Sequence, residues 1–85
     1  MDNQTYQELI QVILKELKDS RPDFKEVEPQ DYFYNLKLKY PEKYKELTFN
    51  VKTKTQAPFS RDLSAIFSHL RDCGFLGLDN NILFE

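Results

Sequence analysis

Apolar residues recur at three- and four-residue steps near the start of the chain: Tyr6, Leu9, Ile10, Ile13, Leu14 and Leu17. That spacing gathers them on one stripe of a helix, and Gln7, Gln11, Lys15 and Lys18 fall on the opposite face. Thr5 and Glu8 have the separation of a capping box, in which each side chain satisfies a backbone N–H of the first turn. The pattern predicts a helix from Thr5 to Lys18. In "DSRPDFKEVEP" the period is lost, because Pro22 cannot continue a helix and Asp19, Ser20 and Asp23 favour turns. Phe24 and Val27 are expected to tuck this connection against the core.

A second helix is expected from Pro29, a residue suited to a first turn, towards Tyr40. Tyr32, Phe33, Leu36 and Tyr40 repeat at helical steps until Pro41 interrupts them. "PEKYKEL" then reads either as a further helical turn with Tyr44 and Leu47 facing inwards, or as the continuation of one helix kinked at Pro41. From Leu47 the period changes to two. Leu47, Phe49 and Val51 alternate with Thr48, Asn50 and Lys52, as in a half-buried strand.

Ser60 is placed to cap a third helix, with Asp62 in its first turn and Leu63, Ile66, Phe67 and Leu70 as its apolar face. Gly74 suits the left-handed position just beyond a helix end. Phe75, Leu76 and Leu78 lead into Asp79-Asn80-Asn81, a hairpin-turn composition, and Ile82, Leu83 and Phe84 return as a partner strand. The expected fold is a single α+β domain over residues 1–85. It has two or three N-terminal helices, one strand, one helix and a C-terminal β-hairpin, with the three strands in a small antiparallel sheet. Such a sheet buries Phe49, Val51, Phe75, Leu76 and Phe84 against Leu63, Phe67 and Leu70.

Composition adds two points. Seven Phe and five Tyr in 85 residues give a short chain a large apolar area to bury. The net charge of −2 is unevenly spread: residues 1–31 hold four basic and eight acidic groups, residues 32–61 seven and two, and residues 62–85 one and four. The basic middle is either a solvated lysine face or a docking site for an anionic partner. Cys73 has no second cysteine to pair with, no apolar run is long enough for a membrane span, and "MDNQTYQEL" is unlike a signal peptide. These features point to a cytoplasmic protein without membrane partners.

No catalytic, cofactor or metal signature is present. His69 is the only histidine, and with Cys73 four residues on it supplies half of a zinc site, whereas zinc takes three or four protein ligands. Gly74 and Gly77, the only glycines, cannot build a phosphate loop. The carboxylates Asp19, Asp23, Glu26, Glu28 and Asp31 are spread along a connection without an acid/base pair. In "YFYNLKLKYPEKYKEL" the aromatic spacing is helical, which assigns those rings to packing in preference to base stacking.

With Ser60 as cap, the apolar set Leu63-Ile66-Phe67-Leu70, and "CGFL" running into "GFLGLDNNILFE", the C-terminal third resembles the second half of a winged-helix domain. At greater distance, "FNVKTKTQAPFSRDLSAIFSHLRDCGFL" is similar to a segment of Panacea-type antitoxins. Phe59-Ser60 and Leu63 match that segment, and Ala57 stands where it has a glycine. The winged-helix resemblance implies DNA binding, with Lys52, Lys54, Arg61 and Arg71 as contacts to an anionic partner. Two features depart from it. Only one helix follows the strand, and Arg61, Asp62, Ser64, Ser68, Arg71 and Asp72 make a nearly neutral outer face, which opposes phosphate contact. The sequence therefore favours a non-enzymatic protein-interaction or accessory module, binding another protein or a second copy of itself, without a cofactor. The alternative is a winged-helix DNA-binding regulator, and a small enzyme would require a concave polar site.

Overall fold

A computed structural model describes residues 2–51 and 58–84. It contains three helices: α1 (Asn3–Ser20), α2 (Pro29–Lys39) and α3 (Arg61–Asp72). Helix α1 begins earlier than its apolar stripe requires. Asp2, not Thr5, is the cap, and its carboxylate accepts from the Thr5 N–H at 2.8 Å. That bond holds the Asp2 carboxyl below the usual carboxylate range. Leu9, Ile10, Ile13 and Leu17 are buried, as the period demands. Arg21 ends the helix in a left-handed conformation (φ 42°), and its N–H donates to the Leu17 carbonyl.

Helix α2 starts at Pro29 and buries Phe33, while Lys37 and Lys39 in its last turn complement the helix dipole. The chain leaves the helix at Tyr40, ahead of Pro41, and residues 41–46 form turns that hold Tyr44 and Leu47 fully buried. The lysine side chain of residue 37 donates to the Leu47 carbonyl and fixes this return. Helix α3 is capped by Ser60, whose hydroxyl accepts from the Leu63 N–H at 3.1 Å, and it buries Leu63, Ile66, Phe67 and Leu70. Gly74 takes the left-handed position (φ 84°) that the sequence assigns to it.

The α+β expectation is not met: among the described residues there is no β-strand and no sheet, and the fold is helical. The segment from Leu47 makes one antiparallel bridge, Asn50 to Phe59. Pro58 has no N–H to extend that pairing, and Ser60 is already committed to the α3 cap. The C-terminal segment likewise makes one bridge, Leu76 to Ile82. The N–H groups of Phe75 and Leu76 both donate to the Leu70 carbonyl, at 2.9 and 3.3 Å, so they close the helix end instead of entering a ladder. A tight turn does form at residues 77–81, with Asn80 at φ 61° and Gly77 so close to Asn81 that a Cβ would collide with its side chain. It is a turn on a helical core, not a wing of paired strands. Val51 and Phe75, expected inside a sheet, are 55% and 37% exposed.

The buried side chains form one cluster, and aromatic edges lock it. Phe33 packs edge-on against Tyr32, Tyr44 and Phe67, with ring centroids 5.2 to 6.1 Å apart. Phe24, from the connection after α1, packs on Tyr32 and Phe67. The Tyr32 hydroxyl donates to Glu16 of α1 at 2.6 Å. Between α2 and α3 the Gln30 side-chain amide forms a two-way clamp on Ser60, accepting from its N–H at 2.8 Å and donating to its carbonyl at 3.1 Å.

Two stability outcomes follow from this packing. Gln30→Ala leaves the buried Ser60 N–H without a partner, while the Ser60 carbonyl keeps the Ser64 N–H, and should cost about 1–3 kcal/mol in urea unfolding, against roughly 0.5–2 kcal/mol for Ser60→Ala. The Tyr44 hydroxyl is buried with no hydrogen-bond partner among the described residues, so Tyr44→Phe should stabilise by about 1 kcal/mol. Burial first, then the charge of Glu16, pushes the Tyr44 phenol above its ordinary value, and burial raises Tyr32 too. A raised phenol favours the folded state fully below the unfolded value of about 10 and loses that support as pH rises further. Melts from pH 8 to 11 should show a smaller loss for Tyr44→Phe than for the native chain.

Candidate interaction surface

The four residues assigned to an anionic partner do not assemble into one described site. Lys52 and Lys54 lie outside the described residues. Arg61 and Arg71 stand in the first and last turns of α3, about 15 Å apart along its axis at the rise of an α-helix. Arg61 is exposed, whereas Arg71 is half-buried and its guanidinium donates to the Asn80 side chain, which steadies the 77–81 turn. The basic middle is also partly used inside the fold. Besides Lys37, Lys39 lies over the Tyr40 ring and Lys43 over the Tyr44 ring, with Nζ 5.4 and 5.6 Å from the centroids.

His69 and Cys73 do meet on one exposed helix face, Nε2 to Sγ 3.7 Å. Among the described residues they are not joined by further ligands into a group of three or more that could hold a metal. No described helix is long and apolar enough to cross a membrane.

The feature that stands out is apolar, at the junction of α1 with the C-terminal segment. Phe75 and Phe84 pack edge to face with centroids 5.6 Å apart, and the Leu83 N–H donates to the Phe75 carbonyl at 3.0 Å. With Leu14 of α1 the two rings line an open groove of about 330 Å³, edged by Gln11, Lys15, Lys18 and Asp19. Leu83 is 57% exposed beside it, and Leu78, on the tip of the turn, is 97% exposed. Arg21 adjoins the same edge, donating from its guanidinium to the Phe84 carbonyl at 2.9 Å. Leu38, Tyr40, Val51 and Phe59 are exposed as well.

Periodicity assigns Leu14 and Phe84 to the core and Lys15 and Lys18 to a solvated face. The signal for a surface was the run Ile82-Leu83-Phe84, because an extended segment cannot turn three consecutive side chains to one side. Compared with protein-family models, curated proteins and solved structures, the chain matches none.

A surface kept for binding can be told from one needed for folding. Leu83→Gln should change stability by no more than about 0.5 kcal/mol in thermal melts. Leu76→Ala, at a buried position of the same C-terminal segment, should cost about 2–5 kcal/mol. Equal losses for both would make the face structural.

Proposed function

We propose that this protein is a non-enzymatic interaction module of the cytoplasm, an accessory or regulatory chain that receives another protein on the Leu14–Phe75–Phe84 face. The observation that carries this reading is the groove itself, in which Leu14, Phe75 and Phe84 line one open concavity and Phe75 is left exposed. Isolated exposed apolar residues are ordinary on protein surfaces, but joined ones mark places where a partner removes them from water. Aromatic side chains suit that role, since they present a large area with few rotatable bonds.

The groove also has a chemistry that suits recognition more than catalysis. Among its described lining residues Asp19 is the one carboxylate, and there is no imidazole or thiol. The seat is preformed by α1 and by the bonds that fasten the C-terminal segment, from Arg21 to Phe84 and from Leu83 to Phe75.

A photo-crosslinking side chain placed at Leu83, in extract of the cells that make the protein, should give a discrete protein adduct. The same group at Asn35, exposed on α2, should not. Matching adduct patterns from both positions, or none from Leu83, would contradict the proposal.

A further inference from the structure

We infer that the partner segment seated in the α1–C-terminal groove is acidic as well as apolar: a short peptide stretch that places one or two large apolar side chains between carboxylates. The inference rests on the interaction reading above and adds the chemistry of the partner. Lys15, Lys18 and Arg21 follow one another at three-residue steps, so they line one side of α1 and its cap. Lys15 and Lys18 edge the groove, and Arg21 is tied to the Phe84 carbonyl. Asp19 is the only acidic residue among the groove's described lining. Among the described residues neither Lys15 nor Lys18 forms an ion pair or a side-chain hydrogen bond. Lys18 also complements the dipole of α1, but Lys15, a turn earlier, has no such role. The rim is therefore net positive on a chain whose first third is net negative, and it borders the aromatic floor.

Size and charge select the occupant. A volume of about 330 Å³ lies at the small end of the roughly 300–1,000 Å³ of ligand pockets and takes a few side chains. A stable dimer interface draws on about 20–30 residues from each side. Pairing this face with itself about a two-fold axis would bring two net-positive rims together. Carboxylates on the partner answer both points, because they meet the cations while the apolar side chains fill the groove.

The test is fluorescence anisotropy with a labelled twelve-residue peptide of Glu, Asp, Leu and Phe, and with its counterpart in which Lys replaces every acidic residue. The acidic peptide should bind the native chain and the basic one should bind at least about tenfold more weakly, with the difference shrinking as salt rises. Lys15→Glu/Lys18→Glu should remove the preference. Lys15→Gln/Lys18→Gln, which adds no charge against the α1 dipole, should reduce it, and circular dichroism should report native helix content for both variants. Equal binding of the two peptides, blocked by Leu83→Glu, would overturn the acidic partner and leave the interaction reading in place. Binding of neither peptide would overturn the inference. So would capture by phosphatidylserine vesicles without peptide binding, or a dimer in sedimentation that Leu83→Glu dissolves.

Discussion

Phe33 is the residue on which the other elements close. It is fully buried on α2 and meets Tyr32 of its own helix, Tyr44 of the following turns and Phe67 of α3 by ring edges. Phe24 extends the same lattice to the connection after α1, and the Tyr32–Glu16 bond ties it to α1 itself. Each edge-to-face pair adds about 0.5–1.5 kcal/mol beyond area burial, so the lattice is comparable to the net stability of a small domain. It also constrains direction. Helices α2 and α3 must approach each other at the distances the rings impose, with Tyr44 and Phe24 seated on the same lattice.

The chain has two apolar extended segments yet builds no sheet among its described residues. After α3 the backbone must fold back at once to bury Leu76. It does so by giving the N–H groups of Phe75 and Leu76 to Leu70, after which one bridge remains. Before α3, Pro58 and the Ser60 cap end the Asn50–Phe59 pairing just as early. The C-terminal segment then lies along α1 with alternate side chains out. Ile82 and Phe84 are half-buried, and Leu83 faces water. The apolar face is thus a by-product of how the core closes, and Lys15, Lys18 and Arg21 give it a sign.

The features legible in the sequence were those fixed within a few residues. The apolar stripes of α1 and α3, the Ser60 cap, the Gly74 stop and the inward Tyr44 and Leu47 depend only on local spacing and turn chemistry, and each is found; of the stripe expected on α2, Phe33 alone is fully buried, and Tyr40 lies beyond the helix and is exposed. The Asp2 cap was obscured by the Thr5–Glu8 pair, which has the same form one turn later. Alternation from Leu47 and after Gly74 described extended backbone correctly but could not show that its donors were spent elsewhere, which is what turned expected strands into single bridges. The Gln30–Ser60 clamp joins residues thirty apart and carries no local signal. Of the surface, the aromatic residues were visible, but their division between core and groove depends on α1 lying beside Phe84. The basic residues singled out for an anionic partner came from the winged-helix resemblance, Arg61 and Arg71 on its helix and Lys52 and Lys54 before it, and the two described ones are separated along α3.

The central claim is that a closed aromatic core leaves the C-terminal apolar face open to a partner. Relaxation of methyl signals by a soluble gadolinium chelate measures this in the free protein at dilute concentration. The account predicts strong broadening for Leu83 and Leu78, a weaker effect for Leu14, and none for Leu17, Leu63, Leu70 and Leu76. Protection of Leu83 to the level of Leu70 would contradict it, because the face would then already be covered.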